Sequence, residues 1–525
     1  MPTAPSSTEA TTAATAPMAQ GAADLLSRLW RPVVDTGHLV RFRARSVRRP
    51  RAVRIGWGVL LLITLTAAIA PALWSGAGST SRATDTLTLV PTFMAGFLVL
   101  AVVSAVASGG GRELLPHEQA VAFPVSPTTD HLGALLMAPL NIAWLLQAWV
   151  LLGAAAFGRG TEHLVWLQVV LVLWLVLATA FAQVVAWTME AIRRTRHGTW
   201  IYRGVVGATG LGAVWLQLSG NLGPFLDALP TARLLLAALG GFGLPWLAAV
   251  AVELALIVAA VVLGAWPATQ AARRLPRDEQ KVESSTHQAR PNPAGAFAML
   301  ARIDRASVWR AVPMRRGLAV LAIGPGLVAL AGALPWDTVM ILPGLVVSGG
   351  VLLFGVNAWS LDGRGGLWRE SLPVDPALVF RARSWVMAEW LLAAAMVTVV
   401  LASLRAGAPT ASQAASLVCI VVVIVVQVVA VAMSWSARRP FAVNLRSARA
   451  TPAPPIVMVG YSARLATSTT LTAMVFSTLS RGAAVEVIVL FAVPFLCWSV
   501  VRWQRAARRW ARASDRAMVV TTVAA

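Results

Sequence analysis

The chain has 525 residues, 57% of them apolar and only 13% charged, with a mean hydropathy of +0.70. A soluble chain of that length needs far more charge on its surface, so these values exclude a soluble globular protein and point to a lipid bilayer. The net charge of +22 is compatible with nucleic-acid binding, but its placement argues otherwise: with both termini cytoplasmic, 39 of the 44 basic residues fall inside, and only Arg82, Arg159, Arg233, Arg405 and Arg481 fall outside. Such asymmetry sets the topology and attracts anionic headgroups, so the expected partners include membrane lipids and no nucleic acid.

Residues 1–21 are a Ser, Thr and Ala tract without a basic or an apolar signal region, and are expected to form a disordered cytoplasmic tail. From residue 22, Leu25, Leu26, Leu29, Trp30, Val33 and Val34 recur at helical spacing and nine basic residues follow between Arg28 and Arg54, which predicts an amphipathic helix lying on the membrane surface. A crossing helix takes about 20 apolar residues. Stretches that meet this are read at 54–75, 87–108, 132–157, 164–189, 202–218 and 244–266, then at 317–335, 340–360, 385–404, 412–435, 464–480 and 484–502. The fifth and eleventh are short and rich in Gly, Ser and Thr. Residues 219–243 form the longest external segment, with an apolar run from Ala232 to Leu239 that is too short to cross.

The expected fold is thus an all-α polytopic membrane protein of about 12 transmembrane helices, arranged as a 6+6 internal repeat. Its first half is 22–266 and its second 317–502, joined by a polar, Pro-containing mobile connector at 267–316. Residues 503–525 continue a cationic stripe (Arg502, Arg505, Arg509, Arg512, Arg516) whose Trp503 and Trp510 share another face, the pattern of an interfacial anchor. Four landmarks support duplication because they recur in order. Arg45-Ser46-Val47-Arg48-Arg49 matches Ala306-Ser307-Val308-Trp309-Arg310, and Pro91 matches Pro343. Phe123-Pro124-Val125-Ser126-Pro127 matches Leu372-Pro373-Val374-Asp375-Pro376, and Arg193-Arg194 matches Arg438-Arg439. The single lysine, Lys281, together with the Ala-rich composition, suggests a high-GC bacterial genome and hence a bacterial plasma membrane.

Enzyme chemistry finds little to work with. A phosphate-binding Walker A loop needs glycines ahead of its lysine, and Lys281 sits in Asp278-Glu279-Gln280-Lys281-Val282, so ATP hydrolysis by that route is not expected of this chain. The six histidines are scattered, and Cys419 and Cys497 lie within apolar stretches, where they read as buried small hydrophobes; no metal site or disulfide is expected. Polar groups inside a bilayer are costly and so draw attention. Glu253 lies mid-span in the sixth stretch. Glu389 lies about one turn inside the ninth, at a repeat position within one residue of Asn141 in the third. These three are the candidates for a polar pathway.

The most distinctive segment is the loop Gly111-Arg112-Glu113-Leu114-Leu115-Pro116-His117 through Phe123-Pro124-Val125-Ser126-Pro127, echoed by Arg369-Glu370-Ser371-Leu372-Pro373-Val374-Asp375-Pro376. With these residues the chain resembles the ABC-2 type permease family, the membrane subunits of type V ABC exporters, here with two halves fused in one chain. The family has six spans per half, an interfacial helix before the first, a coupling helix between the second and third, and external helices between the fifth and sixth. The second half departs from it, since only about four residues join its last two spans.

The resemblance implies export of a hydrophobic or amphipathic substrate, driven by ATP that separate ATPase subunits hydrolyse with Mg. Arg112, Glu113, Phe123, Pro124, Arg369, Glu370, Leu372 and Pro373 would then contact those subunits. This chain itself would bind no cofactor. One alternative is a proton-coupled secondary transporter, since Asp362-Gly363-Arg364-Gly365-Gly366 is similar to the acidic-Arg-Gly loop of major facilitator proteins and Glu253 could carry a proton. Another is a membrane scaffold that transports nothing.

Overall fold

The computed structural model describes residues 31–42, 50–107, 125–140, 142–274, 291–442 and 455–524. These residues are helical with no strand, and nine of their helices are long and apolar enough to cross a membrane. The protein is an all-α membrane protein. Residues 31–42 form α1, the described part of the expected surface helix. The first group continues with α2 (Pro50–Ile69), α3 (Ser81–Ala107), α4 (Pro127–Met137), α5 (Ile142–Arg159), α6 (Leu164–Arg193), α7 (Gly198–Leu218), the short α8 (Leu222–Asp227) and α9 (Thr231–Leu239), and α10 (Leu244–Ala272). The second holds α11 (Ala296–Arg310), α12 (Val312–Gly332), α13 (Trp336–Val339), α14 (Leu342–Phe354), α15 (Gly365–Glu370), α16 (Pro376–Ala406), α17 (Ala411–Ser436), α18 (Pro455–Leu479), α19 (Val485–Ala511) and α20 (Ala513–Ala524).

The expected count of twelve spans exceeds the nine candidates. Three helices at expected positions, α5, α7 and α18, are not among them. The third expected span is interrupted, because a 3-10 turn at Ala138–Leu140, carrying Pro139, separates α4 from α5. Helix α7 holds five glycines and Arg203. Helix α18 holds Arg464 and a run of hydroxyls from Thr467 to Thr470. Several of these hydroxyls bond within the protein: Ser468 Oγ donates to Leu465 O at 3.0 Å, Thr469 Oγ1 donates to Leu465 O at 2.9 Å and accepts from Ser348 Oγ at 3.0 Å, and the neighbouring Thr472 Oγ1 lies 3.1 Å from Gln427 Oε1. Hydroxyls that bond their own helix and a neighbour permit close helix packing without an open polar surface.

Local chemistry sets several helix ends. Ser126 caps α4 by accepting from Thr129 N at 3.1 Å, with Pro127 in the first turn. Asp375 accepts from Ala377 N ahead of α16, and Thr410 with Gln413 forms a capping box at α17. The two proline landmarks differ in role: Pro91 lies inside α3, whereas Pro343 sits in the first turn of α14.

Two large buried clusters organise the packing. One gathers Val90, Met94, Phe97, Leu151, Leu171, Trp174 and Trp246 from α3, α5, α6 and α10, pinned by Trp174 Nε1 donating to Met94 O and Trp246 Nε1 to Trp166 O, both at 3.0 Å. The other gathers Phe354, Trp359, Phe380, Leu391, Ile424, Tyr461, Phe476, Ile488 and Trp510 from the second group. The groups meet where the Gln217 amide donates to Ala331 O and where Arg316 lies over the Tyr202 ring at 5.8 Å.

Three local expectations change. The connector 267–316 contains ordered helix, since α10 runs to Ala272 and α11 occupies Ala296–Arg310. Trp503 and Trp510 do not face lipid: Trp503 Nε1 donates to Ser384 Oγ at 2.9 Å, and Trp510 is buried in the second cluster. Cys419 is half-buried and Cys497 exposed, so the two are not both core residues.

Candidate functional site

The second repeated loop, residues 369–376, is the best-built feature on the surface. Before it, the chain leaves α14 through a 3-10 turn at Gly355–Asn357, reverses at Gly363 (φ +47°), where a side chain would be strained, and enters α15. Beneath it lies a buried charge network. Arg383, from the first turns of α16, donates through Nε and Nη2 to both carboxylate oxygens of Asp304 on α11 at 3.0 and 2.8 Å, through Nη1 to Ala358 O at 2.7 Å, and also to Asp362. Asp362 accepts from Arg369 Nη1 at 2.8 Å. Two carboxylates thus face two guanidinium groups, and the network is neutral. Burial pushes the Asp304 carboxyl above its ordinary range, against the pull of Arg383.

Aromatic stacking closes the network from the C-terminal side. The rings of Trp359 and Trp510 stack at 3.8 Å between centroids, and Arg383 and Arg369 lie 5.3 and 5.6 Å from the centroid of the Trp359 ring. Trp510 Nε1 donates to Pro376 O at 3.1 Å, and Arg516 Nε donates to Glu370 Oε2 at 2.7 Å. Helix α20 then packs on α15, where Val520 Cγ1 would stand 3.4 Å from a Cβ at Gly366. A cavity of about 260 Å³ lies under the loop, lined by Arg369, Leu372, Pro373, Asp375, Val379 and Arg516 among others.

Of the loop residues singled out in the sequence, Arg369 and Glu370 therefore each have an intrachain partner, while Leu372 and Pro373 are exposed. What the loop presents outward is apolar: Trp368 is 78% exposed and Leu372 57%, with Leu367 beside them. Arg112, Glu113, Phe123 and Pro124 of the first loop, and Asn141, lie outside the described residues. The pattern in sequence did not single out Asp304, Trp359, Asp362 as a counterion, or Arg383. A charged residue at the edge of an apolar stretch is the one available signal for Arg383, and its partner Asp304 is 79 residues away.

The intramembrane candidates separate clearly. Glu389 is clamped by Arg305 of α11, whose Nε donates at 2.7 Å, and by Trp385 Nε1, so it ties α11 to α16. Glu253 is fully buried on the face of α10 that also buries Trp246, Ala249, Ala260 and Gly264. Neither of its carboxylate oxygens has a hydrogen-bond partner among the described residues. A buried polar group left unpaired is unfavourable, which keeps Glu253 a candidate. Eleven residues along the same face, the His131 ring packs directly on Gly264, where an added Cβ would fall 2.5 Å from Nε2.

No protein-family model, curated protein or solved structure matches this chain.

Proposed function

We propose that this chain is the membrane subunit of an ABC-type exporter resembling the ABC-2 permeases, with two six-span halves in one polypeptide, both termini cytoplasmic, in a bacterial plasma membrane. It moves a hydrophobic or amphipathic substrate, while separate ATPase subunits hold ATP and Mg and carry out hydrolysis. The observation that supports this reading best is the second loop: a short helix with an exposed Trp368 and Leu372, braced from behind by a buried ion network. A motor domain must push against something stiff, and an apolar knob on a rigid mount transmits force better than a solvated charged loop. Docking therefore rests on apolar contact at Trp368 and Leu372, with Arg369 and Glu370 positioning the loop from within. The three remaining expected spans fit a 6+6 plan if α5, set off by the Pro139 turn, and α7 and α18, whose Gly, Ser and Thr lower the hydropathy, cross as interior or partner-covered helices, because helices shielded from lipid tolerate such residues.

Serine at both Trp368 and Leu372 should abolish co-purification of the ATPase at unchanged membrane abundance of this chain. Retained ATPase in that variant would remove the basis of the reading. One observation favours a second reading, a proton-coupled transporter: the unpaired, buried Glu253. In Glu253→Gln the carboxyl is replaced by an amide of the same size, so a proton-coupled cycle would lose its pH dependence, while an ATP-driven one would keep its own.

A further inference from the structure

At the cytoplasmic-loop end of the second group, three helices bring four arginines around one cavity of about 240 Å³. They are Arg438 just past α17, Arg464 on α18, and Arg502 and Arg505 on α19, with Trp498 and Val501 completing the wall. Arg438 and Arg464 both lie within electrostatic range of Arg502, so like charges face each other across the space. Among the described residues none of the four has a carboxylate within ion-pair distance, whereas Arg194, at the corresponding Arg-Arg landmark of the first group, is held by Glu190 at 2.9 Å.

The sequence explains the deficit. From residue 376 to 525 the only acids are Glu389, Glu486 and Asp515. Glu389 is engaged by Arg305, and Asp515 lies beside Arg509 and Arg512. Glu486 is in the first turn of α19, at the opposite end of the helix from Arg502. Tyr461, close to Arg502, has a buried hydroxyl with no partner among the described residues. A convergence of guanidinium groups with no acid of its own is the arrangement that recognises phosphate, through charge-assisted and paired N–H bonds.

Depth along α19 identifies the source of that phosphate. Leu490, Phe491, Val493 and Trp498 are exposed apolar residues, and from Arg502 onward the exposed residues turn basic. The cavity thus opens where hydrocarbon gives way to headgroups, with an exposed Trp498 at its edge, the usual position of an interfacial tryptophan. A basic pocket between crossing helices at this depth suits an anionic lipid headgroup.

We propose that Arg438, Arg464, Arg502 and Arg505 form a binding site for the phosphate headgroup of an anionic phospholipid, on the membrane face that carries the C-terminal helix. This site is independent of any ATPase partner.

The test uses the full chain in a zwitterionic detergent, titrated separately with phosphatidylglycerol, phosphatidylcholine and inorganic phosphate. Retained lipid is read by native mass spectrometry and stability by thermal unfolding. The wild type should retain phosphatidylglycerol in preference to phosphatidylcholine and be stabilised by it. The variant Arg464→Gln/Arg502→Gln should lose that preference by about tenfold, while the control Arg508→Gln/Arg512→Gln, on the same helix end outside the cavity, keeps it. Arg505→Gln, at the exposed rim, supplies a graded loss in a chain with its buried packing untouched, should the double variant fail to fold. Equal retention of both lipids by the wild type, or equal loss in the control, would overturn the site. Equal stabilisation by inorganic phosphate would overturn its assignment to a lipid.

Discussion

Replacing Arg383 by Met keeps much of the side-chain volume and removes the one group that joins α11, the Asp362 turn and α16. Arg383 is 4% exposed and makes bonds to Asp304, Asp362 and Ala358 O. Asp362 keeps Arg369, but Asp304 is left buried without its guanidinium. Breaking a buried pair from one side costs about 3–5 kcal/mol, because the surviving charge has no compensation. The double variant Asp304→Leu/Arg383→Met removes both members and leaves Asp362 with Arg369, so it should recover most of that loss, giving a strongly non-additive cycle.

The pH response has a definite sign. Burial already pushes the Asp304 carboxyl up, and without Arg383 only the weaker pull of Arg369 opposes it. A carboxyl with a raised folded-state pKa favours the fold when protonated and loses that contribution as pH rises. The deficit of Arg383→Met relative to wild type should therefore shrink as pH falls. Thermal unfolding in detergent reads the stability, and hydrogen exchange over residues 296–310 reads the detachment of α11. If Arg383→Met unfolds with the wild type, or if the double variant is worse than the single, the network does not hold the loop as described.

Trp510→Ala should lower stability by about 3–5 kcal/mol by emptying the stack on Trp359, as seen in the same melting assay; an unchanged melt would make the C-terminal segment a passive tail. Glu370→Arg should expose the 513–524 helix to added protease, with Arg516→Glu restoring protection; the pair is partly exposed, so the energetic cost is only about 0.5–1 kcal/mol and cleavage is the sensitive readout. Glu253→Leu should raise stability by about 1–3 kcal/mol, because it removes a buried carboxyl with no partner, while transport falls. A destabilised Glu253→Leu chain would mean that the carboxyl is bonded in the folded protein.

Much of the fold was legible because apolar runs of span length are the strongest signal a sequence carries, and helices occur at each expected position. Crossing capacity was harder to read for α5, α7 and α18. Pro139 divides one stretch, and in the others glycine or hydroxyl residues lower the hydropathy while serving helix packing. The loop at 369–376 stood out through its repeat, but the partners of its charges did not. Glu370 and Asp362 are satisfied by Arg516 and Arg383, which only the packing of α20 and α16 brings near, while Arg369 pairs with Asp362 seven residues back. The tryptophans of the C-terminal stripe have the spacing of a membrane anchor and the burial of a core, and spacing alone does not distinguish these. Unpaired groups such as Glu253 and the arginines around Arg502 emerge only by accounting for every acid.

The most direct test of the proposed function is affinity purification of this chain from its native membranes, followed by ATP hydrolysis and identification of what accompanies it, in wild type and Trp368→Ser/Leu372→Ser at matched amounts. The predicted result is a nucleotide-binding subunit and Mg-dependent hydrolysis with the wild type, both lost in the variant. Hydrolysis by this polypeptide alone, or an ATPase that stays bound to the variant, would contradict it.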